Sequence, residues 1–411
     1  MSPVIQSLNP PMLVRFSLYG FLKNQRYFEP FLFLIFLEKG LSYFAIGVLI
    51  GFRELCLNLM EIPSGALADL YGRRRTMIAA FVGYVISFVV FALSHSFWAL
   101  MGAMFCFAMG DAFRSGTHKA MIFDWLAHEG RLTEKTKVYG FTRSWSKMGS
   151  ALSVVIAAGM VFYSGQYSHI FWFSIPPYVL GIINFFGYPA YLDGARRRSF
   201  SGHAVWSHFK QALHRSWQDS NIRRLIVESM GFEGLYKSVK DYLQPVIQHL
   251  AVTLPLLVGV EDTRRTALMV GGVYFVLHVL SGIASRRAYR LRDRLGSEEN
   301  AAKWLWQLYG LLFLILTFSF SRNMLWVAIL CFTGMAIAQN MWRPILVSRF
   351  DDHAPAEESA TILSIESQSK SLATILLAPL LGYAVDQFSF LPLGICGIAV
   401  SSLIGFQFYR R

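Results

Sequence analysis

Apolar stretches, each about the length needed to cross a bilayer, succeed one another through most of the 411 residues. A span needs roughly 20 predominantly apolar residues, and most of these stretches are separated by short connections only. Such a chain has few options. In lipid every backbone N–H and C=O must find its partner inside the protein, which a helix provides. Twelve stretches can be marked, at about 15–38, 43–67, 76–95, 97–121, 138–162 and 169–191, then 222–249, 265–286, 303–321, 324–348, 361–385 and 389–409. We number them 1 to 12. Charged residues make up 15% of the chain, against about 25% in a soluble domain. The expected class is therefore an all-α membrane protein. Between stretches 6 and 7, Leu192 to Asn221 is too polar to span and carries Arg196, Arg197 and Arg198. It reads as a cytoplasmic linker with an interfacial helix.

The basic residues set the orientation. One alternate set of loops holds Arg73 to Arg75, then Arg131, Lys135 and Lys137, then Arg196 to Arg198, then Arg286, Arg287, Arg290, Arg292 and Arg294. The other offers Lys39, Arg264, Arg265 and Arg322. Lysine and arginine in short loops stay inside, so the first set and both termini are expected in the cytoplasm, with the protein in the cytoplasmic membrane. Stretch 1 itself is expected to direct insertion, since no signal-peptide pattern precedes it. The net charge of +13 sits in these loops. Lipid headgroups and topology account for it better than nucleic acid does. Cys56, Cys106, Cys331 and Cys396 stand alone in apolar stretches, with no disulfide or zinc spacing.

The two halves repeat. Tyr27-Phe-Glu-Pro30 matches Tyr242-Leu-Gln-Pro245, Ser64-Gly65 matches Ser281-Gly282, Asp111-Ala-Phe-Arg114 matches Asn340-Met-Trp-Arg343, and Arg143-Ser-Trp-Ser-Lys147 matches Glu366-Ser-Gln-Ser-Lys370. The matches keep one order at offsets between 215 and 229 residues, which points to a duplicated six-helix unit. The expected organisation is a six-helix bundle over 1–191, the linker over 192–221, and a second bundle over 222–411.

Between stretches 2 and 3 the chain reads Gly65-Ala-Leu-Ala-Asp69-Leu-Tyr-Gly72-Arg73-Arg-Arg75. Glycines permit a tight turn and close helix approach, and Asp69 lies one helical turn before Arg73. This string closely resembles the signature loop of the major facilitator superfamily, roughly G-x-L-A-D-x-x-G-R-R/K. The resemblance implies twelve transmembrane helices in two pseudo-symmetric six-helix bundles, a secondary transporter, and a cytoplasmic gate at Gly65, Asp69, Gly72 and Arg73. Asp69 is expected near the start of helix 11. The second copy, after Ser281-Gly282, has no aspartate in the place of Asp69. Helix 4 lacks the arginine many relatives carry, and helix 5 lacks the Gly-Pro element of drug/proton antiporters.

Charges inside spans cost at least about 2.5–3.5 kcal/mol at a helix centre. They mark the candidate substrate-binding and coupling residues: Lys23, Arg26 and Glu29 in stretch 1, Arg53 and Glu54 in stretch 2, Asp111 and Arg114 in stretch 4, Arg143 and Lys147 in stretch 5, Glu233, Lys237 and Asp241 in stretch 7, Arg343 in stretch 10, Glu366 and Lys370 in stretch 11. Asp111, Arg114 and His118 share one helical face by spacing. Stretches 3, 6, 9 and 12 are almost free of charge; in the superfamily these four face lipid and the other eight line the cavity. Blander readings stand beside the functional one. Glu61, His118 and Lys119 can snorkel or cap near the cytoplasmic end. Lys23 and Arg26 can sit at an interface. Glu233 with Lys237, and Arg143 with Glu366, can be structural salt bridges. Lys147 and Lys370 occupy equivalent places in the repeat.

The expected function is transport of a small anionic or zwitterionic organic solute by alternating access. A proton is the expected coupling ion, carried by Glu29, Glu54, Asp111, Glu233, Asp241 or Glu366. Alternatives are export of amphiphilic compounds in exchange for protons, or a membrane sensor or enzyme on a transporter scaffold. No phosphate loop, nucleophile elbow or metal-ligand cluster occurs. No cofactor, metal or nucleic-acid partner is expected. The expected partners are the solute, the proton and membrane lipid, and the expected state is a monomer.

Overall fold

The protein is described by a computed structural model covering residues 10–193, 214, 217–254, 259–353 and 359–409. The side chains of Pro10, Ile62, Gly65, Ala66, Asp69, Ser359, Ala360 and residues 406–409 lie outside that description, as does most of the linker and its expected interfacial helix. The described residues are helical almost throughout and contain no strand. In chain order the α-helices are α1 Pro10–Leu22, α2 Leu32–Glu38, α3 Tyr43–Tyr71, α4 Arg73–Leu93, α5 Phe97–Arg114, α6 Thr117–His128, α7 Lys135–Ser164 and α8 Ile170–Phe186. They continue as α9 Ser220–Ser229, α10 Leu235–Val239, α11 Leu243–Thr253, α12 Asp262–Leu295, α13 Glu298–Ser321, α14 Leu325–His353, α15 Ser359–Phe388 and α16 Leu391–Tyr409. Seven helices are long and apolar enough to cross a membrane, with shorter apolar ones besides.

The chain divides into two compact units, one of residues 1–31 and 56–200, the other of 32–55 and 201–411. In the first, Phe28, Tyr84, Phe88, Phe107, Phe171 and Tyr178 form a chain of ring contacts with centroids 5.0–6.4 Å apart. In the second, the Phe232 ring lies flat between Tyr309 at 4.2 Å and Trp342 at 4.4 Å. Lipid tails are as apolar as these rings, so close packing rather than escape from water holds such clusters together. The helices with charge-free interiors present exposed apolar side chains: Val82 and Ile86 on α4, Leu180 and Ile183 on α8, Leu311 and Leu314 on α13, Ile395 and Leu403 on α16.

Three interruptions position the functional groups. Stretch 1 is two helices, α1 and α2, with residues 23–28 between them and a 3-10 turn at Glu29–Phe31. Pro30 lacks a backbone donor and disfavours helical geometry at Glu29. At the end of α1, Asn24 Nδ2 donates to the Gly20 carbonyl at 2.7 Å, and the Phe21 carbonyl, which accepts the Asn24 backbone N–H at 3.2 Å, also takes Gln25 Nε2 at 3.3 Å. Stretch 7 is broken in the same spirit, with a π turn at Met230–Gly234 and a 3-10 turn at Lys240–Tyr242 before Pro245. The third break separates α5 from α6 at Gly116, whose φ of 74° favours glycine. Stretch 4 was expected to be continuous; the break is the correction, and it puts His118 on a separate helix from Asp111 and Arg114.

Candidate functional site

In the first unit, Asp111 on α5 is 8% exposed and carries a cluster of donors. Arg26 Nη2, from the interruption after α1, lies 3.3 Å from its Oδ1, and Arg114 Nη2 lies 3.1 Å away. The Tyr84 hydroxyl donates to the same oxygen, while Arg114 Nε donates to the Tyr84 oxygen at 3.1 Å. The expected one-turn pairing of Asp111 with Arg114 is present, and Arg26 and Tyr84 join it.

Beside this cluster is a cavity of about 330 Å³. One wall is a face of α7, where Tyr139, Thr142, Arg143, Ser146, Lys147 and Ser150 recur every three or four residues. The facing wall is the end of α1 with Phe16, Tyr19, Lys23 and Asn24, completed by His118 and Ile122 of α6. Among the described residues the cavity is lined mainly by cations, hydroxyls, rings and the Asn24 amide, with no carboxylate. Lys23, Arg143 and Lys147 make no ion pair among the described residues; the Lys23 ammonium lies 5.3 Å from the Tyr19 ring centroid. His118, expected to snorkel or cap, is buried and stacks on Tyr19 with centroids 3.7 Å apart.

In the second unit acids and bases neutralise one another. Lys237 Nζ lies 2.8 Å from Glu54 Oε2, which also accepts the Ser371 hydroxyl at 2.9 Å. Glu233 pairs with Lys370 at 3.1 Å and Arg343 at 3.3 Å. Glu366, with no exposure, holds Arg343 at 2.8 Å, Lys370 at 3.6 Å and the Ser229 hydroxyl, all on Oε1. Asp241 takes Lys240 at 2.8 Å. One expected pair is thereby corrected. Glu233 does not pair with Lys237, because the π turn that contains Glu233 breaks the four-residue register between them. Within its own unit Glu366 takes its cations from Arg343 and Lys370. Arg53 is half-buried on α3, and Glu29 is exposed.

A further cluster escaped the reading of the sequence. Arg349 Nη1 lies 2.6 Å from Glu228 and its Nη2 2.7 Å from Glu299, and Arg224 contacts both carboxylates. The four-residue spacing of Arg224 and Glu228 was its one visible signal. In the signature loop, Gly72 adopts φ 98° and Arg73 pairs with Asp124 of α6. Asp193 accepts the Arg74 amide at 2.9 Å, and the Arg74 guanidinium donates to the Tyr188 carbonyl at 2.9 Å. The backbone at Gly65 and Asp69 belongs to α3; the Asp69 side chain and its expected gate contact lie outside the described residues.

Interrupted apolar helices with ionic clusters at membrane depth, and apolar side chains turned outward, define a multi-pass membrane protein of the solute-carrier kind. The chain belongs to the major facilitator superfamily, whose family model matches residues 16–367, and it is a membrane transporter of that type. It is 20% identical over 361 residues to YxaM of Bacillus subtilis (strain 168), described as an uncharacterized MFS-type transporter, covering 86% of this chain and 84% of that one. Among solved structures it resembles the nucleoside transporter NupG with a TM-score of 0.75, at 11% identity over 98% of this chain and 98% of that one. It also resembles the human organic anion transporter MFSD10 (TETRAN) with a TM-score of 0.60, at 17% identity over 98% of this chain and all of the other. At such identities the likeness is one of fold.

Proposed function

We propose that the chain carries compact organic anions, about one ring in size and with more than one acidic group, across the cytoplasmic membrane. Alternating access would use two six-helix halves, residues 1–191 and 222–411, joined by 192–221, with both termini in the cytoplasm and a proton as coupling ion. The observation that carries this reading is the cavity of the first unit, where Lys23, Arg143 and Lys147 meet without an acid. A cation without an acidic partner favours an arriving carboxylate, by up to about 1.5–3 kcal/mol for a charged hydrogen bond and less where the cation is exposed, as Arg143 and Lys147 are. At about 330 Å³ the space lies near the lower end of small-molecule sites, roughly 300–1,000 Å³. The repeat sharpens the point. Arg143 and Lys147 occupy the places of Glu366 and Lys370, so the duplicated position is self-neutralised in one unit and left basic in the other. A fold shared with a solved organic anion transporter is compatible with this cargo and supports only the scaffold.

The reading is tested by thermal shift of the purified chain with isophthalate, benzoate and neutral benzamide. A ligand that binds only the folded state raises the melting temperature in proportion to ln(1 + [L]/Kd). Isophthalate should stabilise most, benzoate less, and benzamide not at all. Equal shifts with benzamide would end the organic-anion reading.

A further inference from the structure

His118 is the second residue of α6, two positions past Gly116, in the wall of the cavity and held on three sides. Its ring stacks on Tyr19 at 3.7 Å and 22°, and its edge meets Phe16 at 5.5 Å. Its Nε2 lies 3.2 Å from the Tyr188 hydroxyl oxygen. That hydroxyl has a single hydrogen, which it donates to the Arg15 carbonyl at 3.3 Å. With the hydroxyl hydrogen on the Arg15 carbonyl, Nε2 is the donor to Tyr188. The neutral imidazole then carries its hydrogen on Nε2 and leaves Nδ1 as a bare lone pair, a tautomer assigned from the hydrogen-bond network. Nδ1 has no partner among the described residues.

A bare lone pair repels an anion; a protonated Nδ1 donates to it. The groups facing the ring are Tyr19 and Lys23 from α1 and its end, Arg114 from α5, Tyr188 beyond α8, and Arg143 and Lys147 across the cavity on α7. The charged ones are all basic, so the incoming anion is what makes a second proton on the ring favourable. Flipping the ring by 180° in its own plane would keep the stack on Tyr19 but give up the Tyr188 bond.

We propose that His118 takes up a proton together with each anion that enters the cavity, which makes the cavity itself the place where solute and proton are coupled. This rests on the organic-anion reading above. It moves the coupling proton away from five of the six candidate carboxylates, since Glu54, Asp111, Glu233, Asp241 and Glu366 each already hold a basic side chain.

The test is calorimetric titration of the purified full chain with isophthalate near neutral pH, in phosphate and in Tris, whose ionisation enthalpies differ widely. The difference in apparent enthalpy counts the protons taken up on binding. The wild type should take up a substantial fraction of one proton per isophthalate. His118→Gln should bind more weakly and take up fewer protons per isophthalate than the wild type. Tyr188→Phe removes the acceptor that fixes the tautomer, so the neutral ring can place its hydrogen on Nδ1. That variant should bind isophthalate with proton uptake reduced. Binding by the wild type without buffer dependence, or His118→Gln with undiminished uptake, overturns the inference and leaves the organic-anion reading standing. Full uptake in Tyr188→Phe overturns the tautomer on which it depends. If isophthalate gives no binding heat in either buffer and no thermal shift, the organic-anion reading itself falls and takes this one with it.

Discussion

Asp111→Ala should be among the most destabilising single substitutions in the chain. The carboxylate neutralises Arg26 and Arg114, and their side chains are only 23% and 20% exposed. Removing one member of a buried ionic cluster leaves the others charged and desolvated, at a cost of about 3–5 kcal/mol. The melting temperature of the detergent-purified protein should drop accordingly, with most of the chain failing to reach the membrane in folded form. Asp111→Asn keeps an acceptor for Tyr84 and should fall between wild type and alanine. Replacing Arg114 with leucine in the alanine background should recover part of the loss, because one of the two stranded cations is then gone. A wild-type melting temperature in Asp111→Ala would show that neither guanidinium relies on this acid.

Arg143→Glu should abolish anion binding while leaving the fold intact. The side chain is exposed and makes no ion pair among the described residues, so little structure depends on it. The substitution places an acid one turn before Lys147, copying on α7 the spacing of Glu366 and Lys370 on α15. One favourable charge is lost, a second is neutralised within the helix, and a repulsive charge enters. Together these amount to about 3 kcal/mol or more, roughly a hundredfold in affinity. Titration with isophthalate reads the change, and an unchanged melting temperature without ligand separates it from misfolding. Affinity within a few-fold of wild type would remove Arg143 from the site.

The spans were legible because the bilayer imposes a length and an internal hydrogen-bonding rule, and stretches such as Arg73–Leu93 and Leu391–Tyr409 obey both. The family was legible in the signature loop, and the pairing of Asp111 with Arg114 in their three-residue spacing. What failed was whatever depends on phase. A continuous helix drawn through Gly116 hides the break there, and the sequence does not show that His118 meets Tyr19 and Tyr188. The π turn has no sequence mark, so Glu233 and Lys237 looked like partners. Ser229, Ser371 and Tyr84 sit in apolar or weakly polar surroundings where hydroxyls attract no notice, yet each donates to a buried carboxylate. Charge can be read along a chain; choice of partner cannot, because it is settled by which way each turn faces.

That last point gives the π turn at Met230–Gly234 a meaning beyond local geometry. Such a turn is an α-turn with one residue inserted, and everything after it is rotated by about 100° relative to an uninterrupted helix. Without altering a single side chain, the extra residue divides one span into two phases. Ser229 and Glu233 address the cluster of Glu366, Arg343 and Lys370, while Lys237 addresses Glu54 of α3. A one-residue change in length is thus enough to rewire a whole helix. A single insertion would change the choice of partners along the rest of the helix while leaving every other residue as it was.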